Sequence, residues 1–353
     1  MRAFISEDNE GRHLLIHKDK LTEYMISNKY QPAVIFITSL LALALLFWVA
    51  DPALIVNGIL LGFVFALGAI GLSLIYGILK FAHMAHGDFM TFGAYLAFFV
   101  VSTIFGNKII DSDGIGPFTF DYPILIAIPI SMIIVGLVSV LLDFVIYRRL
   151  RMKRSNVVVM SMASLGVAIA LRAVVRMLWG TQPEHYPRVS KMFYQLPLEI
   201  RIPPDNIFVA AISIILVIGL YFFLKKTRAG KAMRATSDNP DLAKACGINT
   251  ERVVQGTWFL GSAMAATAGV LLAISQAQLL PFMGWKLIIP LFAAVILGGI
   301  GSPMGALIGA LIVGLAMEVS TGFISPAYKP AIAFLILLLV LIVRPQGIIK
   351  SGN

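Results

Sequence analysis

A chain of 353 residues in which 59% are hydrophobic and only 13% charged does not read as a soluble domain, where about 25% of residues are charged and polar positions interrupt the apolar runs. Its formal charge of +10 gives no sign of a nucleic-acid partner, because the basic residues cluster between long apolar stretches and form no stripe interleaved with aromatics. The single cysteine, Cys246, excludes a disulfide framework within the chain and a cysteine-based metal centre.

Residues 1–32 are polar and mixed in charge, and are expected to form a cytoplasmic N-terminal extension. Ala33 to Ala50 carries no charge and is closed by Asp51-Pro52, with Trp48 where a signal-cleavage site needs a small side chain. It reads as a retained first span. Further candidate spans are 54–79, 87–105, 122–147, 157–178, 207–224, 252–274, 286–300, 303–320 and 330–343. Runs of about 18 or more apolar residues suffice to cross the hydrocarbon core. The segments 286–300 and 330–343 fall short, so each is extended by its neighbours or forms a broken or re-entrant helix inside the protein. The fold class is therefore an all-α, polytopic helical membrane protein with about 8–10 transmembrane helices, some short or broken.

Orientation follows from the basic residues. With the N-terminus inside, cytoplasmic segments hold 20 Lys and Arg and the opposite segments hold 6, while Arg172 and Arg176 lie near the outer end of a span. Because basic loops resist translocation, both termini are expected in the cytoplasm, including the tail 344–353. The outer loop 179–206 carries Pro183, Pro187, Pro197, Pro203 and Pro204, which favours an extended or short-helical flap over a long helix.

Catalytic signatures are missing. The pair Gly230-Lys231 is followed by Ala232 and lacks the upstream glycine of a phosphate-binding loop, and neither His-Glu-x-x-His nor Gly-x-Ser-x-Gly occurs. No ATP site, catalytic residue, metal centre or cofactor is expected in the chain. Intramembrane carboxylates, the usual mark of ion-coupled transport, are few. Asp143 lies about one turn from Arg148 and Tyr147, Glu318 near an outer helix end, and Asp88 at the inner start of a span. His83 and His86 sit three apart beside Asp88 without a second ligand set, and read as capping or loop-packing residues.

The most informative stretch is the inner loop 225–252. Ser237, Asp238 and Asn239 are capping residues, Pro240 suits a first helical position, Asp241 a positive first turn, and Gly247 a C-terminal stop. These predict a short surface helix over about 240–246, whose apolar members Leu242, Ala245 and Cys246 suit docking on a neighbouring protein. A connecting helix lying on lipid headgroups is the plainer alternative on charge alone.

Gly230-Lys231-Ala232-Met233-Arg234-Ala235, then Asp238-Asn239-Pro240, then Ala245-Cys246-Gly247-Ile248-Asn249 resembles the cytoplasmic loop of branched-chain amino-acid ABC permeases. Gly71 to Gly77 with Ala85-His86-Gly87-Asp88-Phe89 and Gly93-Ala94-Tyr95 resembles that family's early segment, and Leu297 to Ala306 its late glycine-rich one. The likeness covers 54–343, three motifs in order; the extension and the span 33–50 depart from it. It implies a permease domain in the bacterial inner membrane whose ATPase-coupling residues are Gly230, Arg234, Asp238, Pro240 and Gly247. It also implies cytoplasmic ATPase subunits, a second and homologous permease, and a periplasmic substrate-binding protein.

Gly301, Gly305 and Gly309 recur every four residues, as do Gly58 and Gly62. Small residues at that spacing let helix backbones approach closely, within the subunit or across an interface. The implied cargo is a branched-chain or other hydrophobic amino acid, with urea, short amides or a sugar as rivals of the same architecture. An ion-coupled transporter or channel is the rival of another class. No substrate-binding residue identifies itself.

Overall fold

The computed structural model describes residues 51–104, 118–188, 194–195, 201–343 and 346–349. The expected extension 1–32 and span 33–50 lie outside them. Eleven α-helices are described: α1 Pro52–Leu79, α2 His86–Phe99, α3 Pro123–Met152, α4 Val157–Trp179, α5 Pro204–Lys226, α6 Arg228–Asp238, α7 Pro240–Ala245, α8 Thr250–Gln276, α9 Met283–Gly298, α10 Pro303–Val319 and α11 Lys329–Val343. Five-residue π turns extend α2 through Ile104 and interrupt α3 at Asp143–Tyr147. A ladder of two residues a side, β1 Tyr194–Gln195 against β2 Arg201–Ile202, lies in the proline-rich loop.

Seven of the described helices are long and apolar enough to span a membrane, so the chain is a polytopic helical membrane protein. The interior is apolar, as in a water-soluble bundle, but much of the outside is apolar as well. α1 and α8 are enclosed by other helices, whereas α4, α5 and α11 present Ile169, Ile215 and Ile342 outward at 60%, 62% and 78% exposure. A helix apolar all round and uncovered by protein needs lipid or another subunit against it.

Two glycine seams run along α10. A Cβ on Gly62 would fall 2.9 Å from Leu311 Cα, and one on Gly314 would fall 2.5 Å from Gly62 Cα, so α1 and α10 touch backbone to backbone. Gly305 and Gly309 approach Gly298 O and Ala294 O in the same way, joining α10 to α9. Gly58 lies against Leu315, while Gly301 sits before α10 in the connecting turn with φ +82°. Within hydrocarbon no hydrophobic force pulls apolar helices together, so such close packing is what remains to bind them.

Two helices start inside the bundle instead of at its surface. His86 Nε2 lies 2.9 Å from Gly68 O, eleven residues before the end of α1, or roughly 16 Å along its axis. The segment after Leu79 therefore runs back into the protein, and α2 begins at depth. α9 starts against it: Gly284 N donates to Thr91 Oγ1 at 3.0 Å, and a Cβ on Gly87 would fall 2.2 Å from Gly284 O. The sequence places Asp88 at the inner start of a span; the structure corrects this. Asp88 faces Arg172, a residue far along α4.

Candidate functional site

The segment after α5 is built almost entirely by local hydrogen bonding. Thr227 ends α5 and starts α6 together: its Oγ1 donates to Phe223 O at 2.7 Å and accepts from Gly230 N at 3.0 Å. α6 lies with Gly230, Met233 and Thr236 buried while Arg228, Lys231 and Arg234 remain exposed. Gly230 is required there, since a Cβ would fall 2.4 Å from Leu224 O. Ser237 Oγ donates to Gly77 O at 2.9 Å, tying the far end of α6 to the last turn of α1.

α7 then follows as the sequence anticipates, ending at Ala245. Asn239 Oδ1 accepts from Asp241 N and Leu242 N at 3.1 and 3.0 Å, with Pro240 at the first helical position. Gly247, at φ +83°, supplies the left-handed residue of a Schellman stop: its N–H donates to Lys244 O and that of Ile248 to Ala243 O. Asn249 Oδ1 accepts from Arg252 N and opens α8. Ser237 and Asp238 are not caps of α7 but the last residues of α6. The hairpin of two short helices buries only Ala243 of α7 and leaves Leu242 62% exposed, with Ala245 and Cys246 open beside it.

The five coupling candidates thus fall within 18 residues but do different things. Gly230 and Gly247 serve backbone geometry, Pro240 starts a helix, and Arg234 and Asp238 stand exposed on α6. A neighbouring ion network braces the same end. Arg151 bonds Asp143 at 2.5 Å and Glu251 at 3.3 Å, and Arg148 meets Glu251 at 3.5 Å. Asp143 is therefore paired with Arg151, two turns along α3, and not with the nearer Arg148. Glu251 sits in the first turn of α8, so this network fixes the exit of the hairpin to α3.

Deeper in the bundle, Arg172 Nε and Nη2 donate to Asp88 Oδ1 and Oδ2 at 3.0 and 3.1 Å. The guanidinium also lies 4.4 Å from the Trp285 ring centre in the first turn of α9. One residue thus joins α4 to the starts of α2 and α9. Asp88 sits in the first turn of α2, where the helix end is positive. Both carboxylate oxygens of Asp88 are thus engaged by one guanidinium. His83 stacks on Phe89 and meets Trp258 edge-on, and among the described residues no group of three metal-ligating side chains exists. Glu318 is paired with Lys329 at 2.6 Å.

At the opposite end the proline-rich loop is pinned across the helix ends. Glu184 and Leu279 exchange both backbone hydrogen bonds, and Tyr186 Oη donates to Ala94 O at 2.8 Å. Arg188 caps the end of α8 through Ala273 O and Ile274 O, and pairs with Asp205 at 3.8 Å. Burial pulls the Arg188 guanidinium below its ordinary value and Asp205 opposes the shift.

Sequence reading missed α6, the Asp88–Arg172 pair and the Ser237–Gly77 bond. For α6 a signal existed, the run of basic residues every three positions from Arg228 to Arg234. The other two join residues 84 and 160 positions apart, and no local pattern announces them.

Residues 54–341 match the family described as branched-chain amino acid transport system / permease component. The chain is 30% identical over 303 residues to the high-affinity branched-chain amino acid transport system permease protein LivH of Escherichia coli, covering 83% of this chain and 93% of that one. It is 30% identical to BraD of Pseudomonas aeruginosa, a permease protein of the same description, covering 84% and 94%. A match to the fructose import permease protein FrcC of Rhizobium meliloti, 34% over 110 residues, covers only 30% of this chain. The chain belongs to the branched-chain amino acid transport system permease family.

Proposed function

We propose that the chain is the membrane-spanning permease of an ABC importer that carries branched-chain or other hydrophobic amino acids across the bacterial inner membrane, with ATP hydrolysed on separate cytoplasmic subunits. The observation that carries this reading is the α6–α7 hairpin. A segment fixed at four points by side-chain hydrogen bonds, yet exposing Leu242, Ala245 and Cys246 at its tip, is rigid enough to transmit a push and uncovered enough to receive one. Gly230, Arg234, Asp238, Pro240 and Gly247 form its coupling element. The names of the full-length relatives favour amino acids; the sugar permease shares less than a third of the chain.

In this reading both termini are cytoplasmic, the hairpin end of the bundle faces the ATPases, and the pinned loop over 179–206 faces a periplasmic binding protein. Residues 54–343 form the permease domain and 33–50 an additional span. The uncovered apolar faces of α4, α5 and α11 meet lipid and a second, homologous permease.

The test is isolation of the tagged chain from its native membrane in mild detergent, followed by identification of what accompanies it. An ATPase bearing a phosphate-binding loop is expected, and is expected to be lost on joint replacement of Asp238 and Pro240 by Ala. A chain that purifies alone and moves substrate under an imposed ion gradient contradicts the reading.

A further inference from the structure

A groove of about 500 Å³ lies at the root of the hairpin, between α5, α6 and α8. Its walls are apolar: Phe223 from the last turn of α5, Ala232 and Met233 from α6, and Phe259 and Leu260 from α8. Gly256 makes the room on the α8 side, where a Cβ would fall 3.2 Å from Met233 Cε. Phe223, Phe259 and Leu260 keep part of their surface exposed, so the groove opens to the outside of the bundle. From Arg252 to Leu260 it follows α8 for roughly 12 Å.

One end of the groove is cationic. Arg252 lines it, is exposed, and its guanidinium meets no acid and no hydrogen-bond acceptor among the described residues. Arg228 stands one helical turn before Ala232, on the edge of α6 that borders the groove, and it too is exposed and unpaired among the described residues. The neighbouring acid, Glu251, is held by Arg148 and Arg151 of α3. No acidic side chain is among the groove's described lining. The site therefore joins two cations without partners to an apolar furrow that runs inward along a membrane-spanning helix.

We propose that this groove binds an anionic phospholipid of the inner leaflet, with one acyl chain between α5, α6 and α8 and the headgroup phosphate on Arg252 and Arg228. The proposal rests on the importer reading only in placing the hairpin end on the cytoplasmic side. Basic pockets between membrane-spanning helices on that side suit anionic headgroups, each Lys or Arg near the surface strengthening the attraction about fivefold. The order along the groove, charge at the end and apolar wall inward, is the order of headgroup and chain in a phospholipid. A zwitterionic amino acid would need an acid for its ammonium, and the described lining supplies none. A side chain of an ATPase subunit would enter from the cytoplasmic end and leave the inner half, by Phe259 and Leu260, empty. Met233 reaches the groove from the buried face of α6, and Ile248 from the turn that leads into α8. A chain seated there touches both roots of the hairpin and fixes their spacing.

The full chain is purified in mild detergent, and bound lipid is counted by native mass spectrometry at stepped concentrations of dioleoyl phosphatidylglycerol or dioleoyl phosphatidylcholine. Phosphatidylglycerol is expected to bind well ahead of phosphatidylcholine. Arg252→Gln is expected to weaken its binding about fivefold, and Gly256→Leu, which fills the groove, to remove the tightest-bound molecule. Lys153→Gln, an equal loss of charge at an exposed residue outside the groove's lining, is expected to change neither. Arg252 is itself exposed, so that variant remains a test should Gly256→Leu not fold. Equal binding of the two lipids, undiminished phosphatidylglycerol binding by Arg252→Gln, or an equal weakening in Lys153→Gln overturns the proposal. Glycerol phosphate competing as well as the lipid assigns the cations to a soluble anion. Loss of the ATPase subunits from Gly256→Leu with lipid binding intact assigns the groove to that partner. Either result overturns the proposal as well. The readout needs no transport, so selective lipid binding beside absent ATP-driven uptake overturns the importer reading and leaves the lipid site standing.

Discussion

Replacing Arg172 by Met leaves Asp88 buried without its partner, with 1% of its side chain exposed and both hydrogen bonds lost. Breaking a buried pair by removing one partner costs about 3–5 kcal/mol. The positive end of α2 returns about 0.3–1 kcal/mol to the orphaned carboxylate, while the loss of the guanidinium from Trp285 removes about 0.5–2 kcal/mol. These corrections roughly cancel, so Arg172→Met is expected to destabilise the bundle by about 3–5 kcal/mol. The double variant Asp88→Leu, Arg172→Met carries no buried charge, and apolar replacement of an intact pair is often neutral. The cycle of wild type, both single variants and the double variant is therefore expected to give an interaction energy of at least about 2 kcal/mol. Denaturant titration in mixed micelles, followed by tryptophan fluorescence, measures it. An interaction energy below about 0.5 kcal/mol, the level of simple additivity, would refute the claim that this pair joins the starts of α2 and α9.

Gly284→Val places a Cβ 1.8 Å from Gly87 O and is expected to abolish folded protein by fluorescence-detected gel filtration; Gly219→Ala, with nothing within 4 Å of the added Cβ, is expected to be tolerated and to gain about 0.5–1 kcal/mol as a helix-interior change. Asn239→Ala removes the cap on Asp241 N and Leu242 N, a local loss of about 1 kcal/mol; it should weaken ATPase co-purification while the bundle's melting temperature stays unchanged. Leu242→Asp alters a side chain 62% exposed, and is expected to leave the isolated chain as stable as before yet to release the ATPase subunits in the same assay.

The long helices were legible because lipid imposes a pattern that needs no partner: an uninterrupted apolar run is itself the signal. α1, α4, α8 and α10 accordingly lie close to the expected boundaries. The capping of α7 was legible for the same reason, since Asn239, Pro240 and Gly247 act within a few residues of themselves. What failed was depth. Hydropathy treats 54–79 and 87–105 as equal crossings, and nothing local reveals that the chain after Leu79 turns back so that α2 begins level with Gly68. α6 escaped because its buried face is Gly230, Met233 and Thr236, of which only the methionine registers as apolar. The glycine spacing was visible, but its partners were not. Gly62 meets Gly314, and Gly305 meets Gly298, through backbone contacts that the spacing alone leaves open.

Transport by the purified assembly tests the importer reading most directly. The tagged chain, with the subunits that accompany it, is reconstituted into liposomes with the binding protein on one side and ATP on the other, and radiolabelled leucine is followed. Uptake is expected to require ATP, to persist without any ion gradient, and to be lost with Leu242→Asp. Uptake that proceeds without ATP and follows a proton or sodium gradient would contradict it.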